Sequence, residues 1–400
     1  MRQLALLFPG QGSQYVGMGK HLSETGYTGV VKAVFEEAND VLGFDLKKLC
    51  FHGDRNKLAE TENTQPAVLA VSIAIFRVYL QKFGILPRCA AGHSLGEYSA
   101  LTCAGAITFS DALRMVRKRG QLMQEAVAPG EGTMIAVSGF SAQDVEHECR
   151  TLSSPGNLAV ISSYNAPLQQ VISGHKAAVT KLGEIFTQRG ARVVPLEVST
   201  PFHSPLMEPA VEKMRQELDK YTYNEPKWDV ISNVMALPHQ GKHHIVENLA
   251  RQLTEPVRWQ DTMQYINRLG VELVLEIGPK KVLKNLAVKN LQRISAYSLD
   301  LPKDMAASEC AVSDNPAKII GKAMVMAITT KNRNPNHQEF QEGFVKPYRA
   351  FKQVVLQLEE TGTLPTVNHV DQALNMLKTV FDTKKVPSPE QEEIFNLIYR

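Results

Sequence analysis

Apolar and polar positions divide the chain into three regimes. In the first, covering residues 1–128 and 199–300, short apolar runs alternate with longer segments of helical spacing. Leu4–Phe8 is a continuous apolar run of strand length, stopped by Pro9-Gly10-Gln11-Gly12. Thr64–Phe83 has helical length and an apolar surface too wide for a surface helix, so it is expected to lie buried against a sheet. Two helices are expected from Leu95 to Glu125, the second at Ser110–Ala126 with Ser110 as its N-cap. Asp229–Asn233, Val271–Ile277 and Ile294–Leu299 read as further strands, and Ile245–Leu253 and Trp259–Leu269 as helices. This alternation predicts an α/β fold with a mostly parallel sheet covered on both faces.

Residues 129–198 follow a different order. Thr133–Ser138 is a strand, Ala142–Leu152 a helix, and Leu158–Tyr164 and Gln169–Ser173 a strand pair around an Asn165-Ala166-Pro167 turn. A helix at Ala177–Arg189 and a strand at Ala191–Val198 complete the pattern β-α-β-β-α-β. That order predicts a small inserted ferredoxin-like subdomain. After Leu301 only helical patterns remain, at Ala317–Thr329, Gln338–Glu360, Val370–Phe381 and Pro389–Tyr399, so 301–400 reads as a helical C-terminal extension. Its apolar faces need a cover. The short links between its helices favour packing against the large domain, away from Ser94, over docking on a partner.

Composition narrows the class. With 400 residues, 44% of them hydrophobic, the chain can bury a large core. The net charge of +3 gives no case for nucleic acid or an anionic membrane as partner. Five cysteines, Cys50, Cys89, Cys103, Cys149 and Cys310, are widely spaced without a C-x-x-C pair, which suits reduced thiols and neither a disulfide frame nor a metal site. The apolar stretch before Pro9 is too short for a signal peptide and no uninterrupted apolar run reaches membrane length, so a cytoplasmic protein is expected; a monomer is the expectation for its assembly.

The chemistry centres on Cys89–Ala104. Small apolar residues lead into Gly92-His93-Ser94-Leu95-Gly96 and a helix-forming run follows, the G-x-S-x-G elbow that lifts a serine clear of a sheet. The N-terminus of that helix aims free N–H groups at charge developing beside Ser94. Taken alone, so short a pattern is better read as a tight turn with an ordinary serine. Ser94 needs a base. His203, between Pro201 and Pro205 just after the last strand of the small subdomain, is the candidate among eleven histidines. His93 is expected to pack behind the elbow.

Taken together, the opening FPGQGSQ, the GHSLGE context of Ser94, Arg119 and His203 resemble the malonyl-CoA:acyl carrier protein acyltransferases. The resemblance covers roughly residues 1–300. With its tail, the chain looks like stand-alone acyltransferases of bacterial iturin and mycosubtilin lipopeptide synthetase clusters. The resemblance implies Ser94 and His203 as the catalytic pair, with backbone N–H groups of Gln11 and Leu95 as the oxyanion hole. It also implies Arg119 as the grip on a malonyl carboxylate and Phe202 and Met123 as further substrate contacts. Gln252 matches the position associated with orienting the histidine; a helix-surface amide is the competing reading, and no acid is named as a third member. The expected substrates are malonyl-CoA and a phosphopantetheinylated acyl carrier protein or synthetase carrier domain, with no metal and no bound cofactor. An acyl hydrolase on the same scaffold is the nearest rival, but it needs no carboxylate clamp. An ordinary esterase lacks the FPGQGSQ start, and a non-catalytic docking protein would have no use for an intact site.

Overall fold

The computed structural model describes residues 3–128, 130–198, 200–312, 316–361, 363 and 365–399. Pro129 and Ser199, at the expected domain boundaries, lie outside the described residues. The chain separates into two compact units, residues 3–305 and 306–400, so the boundary falls inside the helix Pro302–Val312 and not at Leu301.

Among the described residues the first unit holds nine strands: β1 (Gln3–Phe8), β2 (Cys89–Gly92), β3 (Gly132–Ser138), β4 (Ala159–Ala166), β5 (Gln169–His175), β6 (Arg192–Pro195), β7 (Asp229–Ile231), β8 (Val271–Glu276) and β9 (Ser295–Ser298). Five of them form a sheet in the order β7-β2-β1-β8-β9, and every pairing is parallel. Leu4–Phe8 runs through its centre and is buried throughout, as a continuous apolar run must be when helices cover both faces. The helix Thr61–Phe83 packs here. Its length and composition would suffice to cross a bilayer, yet most of its surface is buried inside the fold.

The other four strands form an antiparallel sheet in the order β4-β5-β3-β6, with helices Ala142–Leu152 and Lys176–Gln188 against one face. This is the ferredoxin-like arrangement. The ends of β4 and β6 differ most from the sequence reading. Asn165 and Ala166 belong to β4, because the hairpin turns at Pro167-Leu168 and Ala166 still pairs with Gln169. β6 stops at Pro195, since beyond Leu196 the chain turns on itself through the Val198 N–H to Leu196 carbonyl bond.

All five strands of the large sheet point the same way, so their carboxyl ends share one edge. That edge gathers the Pro9–Gly12 loop, the Ser94 elbow, Asn233 and the Gly278–Lys280 turn, the crevice where open α/β sheets place ligands. A helix following the elbow runs over Phe109–Glu125. Its N-cap is Thr108, whose hydroxyl accepts from the Asp111 N–H at 3.1 Å; Ser110 instead donates to Glu37. The N-cap lies two residues before Ser110 because the Thr108 hydroxyl both accepts from the Asp111 N–H and donates to the Asp111 carboxylate.

The second unit is helical, with Pro316–Thr329, Lys346–Thr361, Val367–Thr383 and Ser388–Tyr399 as its main helices. The apolar faces expected to be covered by the large domain or a partner close on one another. Ala323, Ala327, Phe351, Ala373, Leu377, Val380, Phe381 and Ile398 form a core internal to the unit. Helical spacing in the sequence marks Val370, Ala373, Leu374, Leu377, Val380 and Phe381 as one apolar stripe; all but Leu374 are buried in this core, and Leu374 is partly buried against it. Within this core Lys384 is almost completely buried. Its Nζ donates to the carbonyls of Ala327 and Thr330, both at 2.8 Å, and lies 4.4 Å from the centre of the Phe344 ring. A cation there satisfies the unpaired carbonyls at the end of Pro316–Thr329.

A self-contained core predicts independent folding. A fragment spanning 316–400 should melt cooperatively by circular dichroism. Lys384→Met should lower its stability by about 1–3 kcal/mol, the cost of leaving buried carbonyls unpaired. A fragment without a thermal transition would show that the tail's core does not suffice.

Candidate active site

Ser94 joins β2 to the helix Leu95–Cys103 with φ 53° and ψ −109°, a left-handed conformation that a residue with a Cβ avoids unless its surroundings impose it. What imposes it is compression. A Cβ on Gly96 would overlap the carbonyl oxygen of Phe8, and one on Gly10 would overlap that of His93. Strand, elbow and first loop therefore approach more closely than any side chain allows.

The Ser94 Oγ lies 2.7 Å from His203 Nε2 and accepts from Arg119 Nη2 at 3.0 Å. His203 also has positive φ, 57°, in a turn held by the Ser204 hydroxyl bonding to the Pro201 carbonyl at 2.6 Å. Its Nδ1 donates to the backbone carbonyl of Gln252 at 2.6 Å. A carbonyl can only accept, so in the neutral ring the proton sits on Nδ1 and Nε2 faces Ser94 with a free lone pair. Burial, and next the Arg119 charge, push the His203 pKa down to about 3, which keeps the ring neutral. Such a pair can ionise a hydroxyl at the moment of attack.

Arg119, on the helix Phe109–Glu125, is 1% exposed. Its Nη1 donates to Gln65 Oε1 and its Nη2 to Gln252 Oε1, each at 2.9 Å, and its Nε is buried without a partner. Among the described residues no ion pair reaches it; the facing Tyr98 ring lies 5.5 Å away. Burial accordingly lowers its pKa. A guanidinium held by neutral amides beside a nucleophile can receive an anionic group of a substrate.

Gln252 is fully buried, not a helix-surface amide. Its Nε2 donates to Glu97 Oε2 at 2.6 Å and to the Ser94 carbonyl at 3.1 Å, which turns its Oε1 toward Arg119. Glu97 in turn contacts His239 Nε2 at 2.8 Å and accepts from the Asn233 N–H at 3.1 Å. Asn233 closes the frame: its Oδ1 accepts from the Ser94 N–H at 2.6 Å and its Nδ2 donates to the Gly92 carbonyl at 2.6 Å. Leu95 is the first residue of its helix, so its N–H has no carbonyl in a preceding turn. Gln11 lies across from it in the first loop, with its side-chain amide donating to Thr61.

These groups open onto a cavity of about 950 Å³ between the two sheets, lined by Gln11, Ser94, Arg119, Met123, Phe202 and His203. Met123 Sδ accepts from Gln65 Nε2 at 3.6 Å, behind the arginine. His93 is not hidden behind the elbow. Its ring rests on Trp259 on one side, faces the cavity on the other, and bonds Asn165 of β4 at 2.9 Å, because the reversed Ser94 backbone swings its predecessor toward the small sheet.

The sequence reading missed Gln65, Glu97, Asn165 and Asn233. Glu97 stood within the GHSLGE motif, and Asn233 was a polar end on an apolar strand; either could have been read as a frame for the elbow. Gln65 and Asn165 carry no local signal. Among the described residues, no group of three or more His, Cys, Asp or Glu is placed to hold a metal ion.

Comparison with known proteins shows the family to which the chain belongs. Residues 5–325 match the model of the acyl transferase domain family. A malonyl CoA-acyl carrier protein transacylase of Bacillus subtilis is 36% identical over 400 residues, 98% of this chain and all of the relative, so that alignment includes the helical tail. The transacylase of Escherichia coli K12 is 42% identical over 309 residues, 77% of this chain and 99% of the relative. A solved malonyl-transacylase in complex with its type II PKS acyl-carrier protein superposes with a TM-score of 0.74 at 41% identity, covering 78% of this chain and all of that one. The chain belongs to the acyl transferase family, among the malonyl-CoA:acyl carrier protein transacylases.

Proposed function

We propose that this protein transfers malonyl from malonyl-CoA to the phosphopantetheine thiol of an acyl carrier protein through an acyl-enzyme on Ser94. The observation that carries the reading is the buried Arg119 charge, 3.0 Å from the nucleophile and without a carboxylate partner among the described residues. A neutral acyl group would leave that charge uncompensated; the free carboxylate of a malonyl group would pair with it, and its fork suits both oxygens. A hydrolase of uncharged acyl chains has no use for it.

In the first half-reaction Ser94 Oγ attacks the thioester carbonyl while His203 Nε2 takes its proton. The oxyanion is held by the backbone N–H groups of Leu95 and Gln11. CoA leaves as its thiol, taking the proton back from His203. In the second half the carrier thiol gives its proton to His203 and attacks the malonyl ester, and His203 returns that proton to Ser94 Oγ as the ester bond breaks. Phe202 and Met123 line the cavity beside the acyl group. Acyl exchange between sulfur and oxygen is redox-neutral, so the scheme balances with no metal or bound cofactor. The free, buried thiols of Cys50, Cys89, Cys103 and Cys149 suit a cytoplasmic setting.

Three results test this. Ser94→Ala should lose at least ~10³-fold in turnover, since nucleophile and base act as a unit, and intact-mass spectrometry should find malonyl on the wild type only. Malonylation of Ser94→Ala would sink the assignment, and rapid release of free malonate without transfer would favour the hydrolase.

Arg119→Ala leaves the malonyl carboxylate without its counter-charge, which costs ~3–5 kcal/mol in a buried site. Malonyl transfer should collapse while acetyl transfer holds or rises. Equal losses for both would assign Arg119 to the fold.

The low His203 pKa sets the pH dependence. The base is neutral in the free enzyme far below the ordinary histidine range, so kcat/KM should stay flat from pH 8 to about 5, with no inflection near 6.5. Stability carries the matching sign. With the folded pKa depressed, the contribution is fully present above about 6.5 and is lost as pH falls toward 3. His203→Gln should flatten the acid limb of thermal stability over that window.

A further inference from the structure

The proposed oxyanion donor Gln11 sits in a glycine-flanked loop that nothing in the elbow itself would hold in place. The Gly10 carbonyl, which shares a rigid peptide plane with the Gln11 N–H, accepts twice from Ser13: from its hydroxyl at 2.7 Å and from its N–H at 3.3 Å. Ser13 is 1% exposed. In a trans peptide the carbonyl and N–H point opposite ways, so a carbonyl locked toward Ser13 fixes the N–H on the other edge of the plane. The Gly10 Cα meanwhile abuts the elbow, where its missing Cβ would meet the His93 carbonyl.

A second side chain reaches the same loop from the far side of the sheet edge. Lys280 Nζ donates to the Gly12 carbonyl at 3.0 Å. Lys280 holds φ 65°, a conformation where glycine is the unstrained choice. The strain is sustained from beneath. Buried Asp300 accepts from the Lys280 N–H at 2.8 Å and from the Tyr15 hydroxyl at 2.9 Å, and the Ser298 hydroxyl donates to the Lys280 carbonyl. Asp300 thus ties both the lysine turn and the outgoing end of the loop to one carboxyl. Arg55 and Glu197, the charged neighbours of Lys280 at the cavity mouth, are paired with each other at 3.1 Å.

We infer that Ser13, with Lys280 as its outer partner, is a positioning residue that presets the Gln11 N–H for the oxyanion. The inference rests on the malonyl-transfer reading and on Gln11 as a donor. Ser13 fixes the carbonyl of the donor peptide itself, and Lys280 fixes one two peptides further along the loop. A donor built in advance stabilises the transition state without reorganising, whereas a loop free to rotate its peptide loses that advantage.

The test is the rate of Ser94 acylation under single-turnover conditions with two donors: malonyl-CoA and the phosphate-free thioester malonyl-pantetheine. Ser13→Ala should slow acylation about 10-fold with both donors, a fraction of what loss of a whole oxyanion donor costs, and leave KM unchanged; Ser13→Thr should restore it. Lys280→Met should slow it about 3-fold with both, with Lys280→Arg restoring the rate. Lys280→Gly should lose the same rate while melting at or above the parent temperature, because the left-handed strain is relieved. That combination separates positioning from stability. Unchanged acylation in Ser13→Ala and Lys280→Met overturns the inference. So does a loss confined to malonyl-CoA and expressed in KM, which would make Lys280 a contact for the CoA phosphates. A wild type that is not malonylated at Ser94 overturns the malonyl reading and the inference with it; active wild type with unaffected variants overturns the inference alone.

Discussion

The guanidinium of Arg119 is the constraint around which the site is built. A buried charge beside a nucleophile is costly unless neutral dipoles surround it, and Gln65, Gln252 and the Ser94 hydroxyl supply them. Those amides must themselves be oriented. Glu97 does this for Gln252 by accepting its Nε2, and His239 holds Glu97 from behind. Arg119 therefore sits at the front of a buried chain running back through the amide to an acid and a histidine. Remove the carboxyl of Glu97 and longer bonds from Nε2, such as that to the Ser94 carbonyl, are left to turn the Gln252 oxygen toward the cation.

The same residues serve the base. Gln252 uses its side chain on the arginine and its backbone carbonyl on His203, so one residue couples the charge clamp to the tautomer of the imidazole. An acid in that place would raise the histidine pKa. The neutral carbonyl orients the ring and pulls its pKa up, but burial and the Arg119 charge outweigh it, which suits a base that must stay unprotonated beside a permanent cation.

The elbow adds mechanical rather than electrostatic order. Gly10 and Gly96 let the first loop, the β1 carboxyl end and the elbow helix interpenetrate, and Asn233 stitches the Ser94 N–H to the Gly92 carbonyl across the turn. The proposed donors, Leu95 and Gln11, come from two chain segments that meet only because β1 and β2 are neighbours in a parallel sheet.

Much of this was written in the sequence. The 2.0 and 3.6 periodicities marked nearly all of the strands and the main helices, because burial on one face or both is a local demand on side-chain polarity. The order β-α-β-β-α-β announced the small sheet, and the elbow glycines announced Ser94, since tight turns admit few residue types. Arg119 was legible only through resemblance, since a basic run on a helix does not declare its target; His203 was marked by its place between two prolines after the small-domain strand, and resemblance gave it its role. Tertiary structure alone decided the rest. It turned Gln252 inward, recruited Gln65, Glu97, Asn165 and Asn233, brought His93 to the cavity wall, and closed the tail's apolar faces on each other. These are contacts between residues far apart in the chain, and no spacing encodes which of many amides or helix faces will meet. The physical reason is that polarity along a sequence says whether a group is buried, while the partner of a buried polar group is chosen by packing.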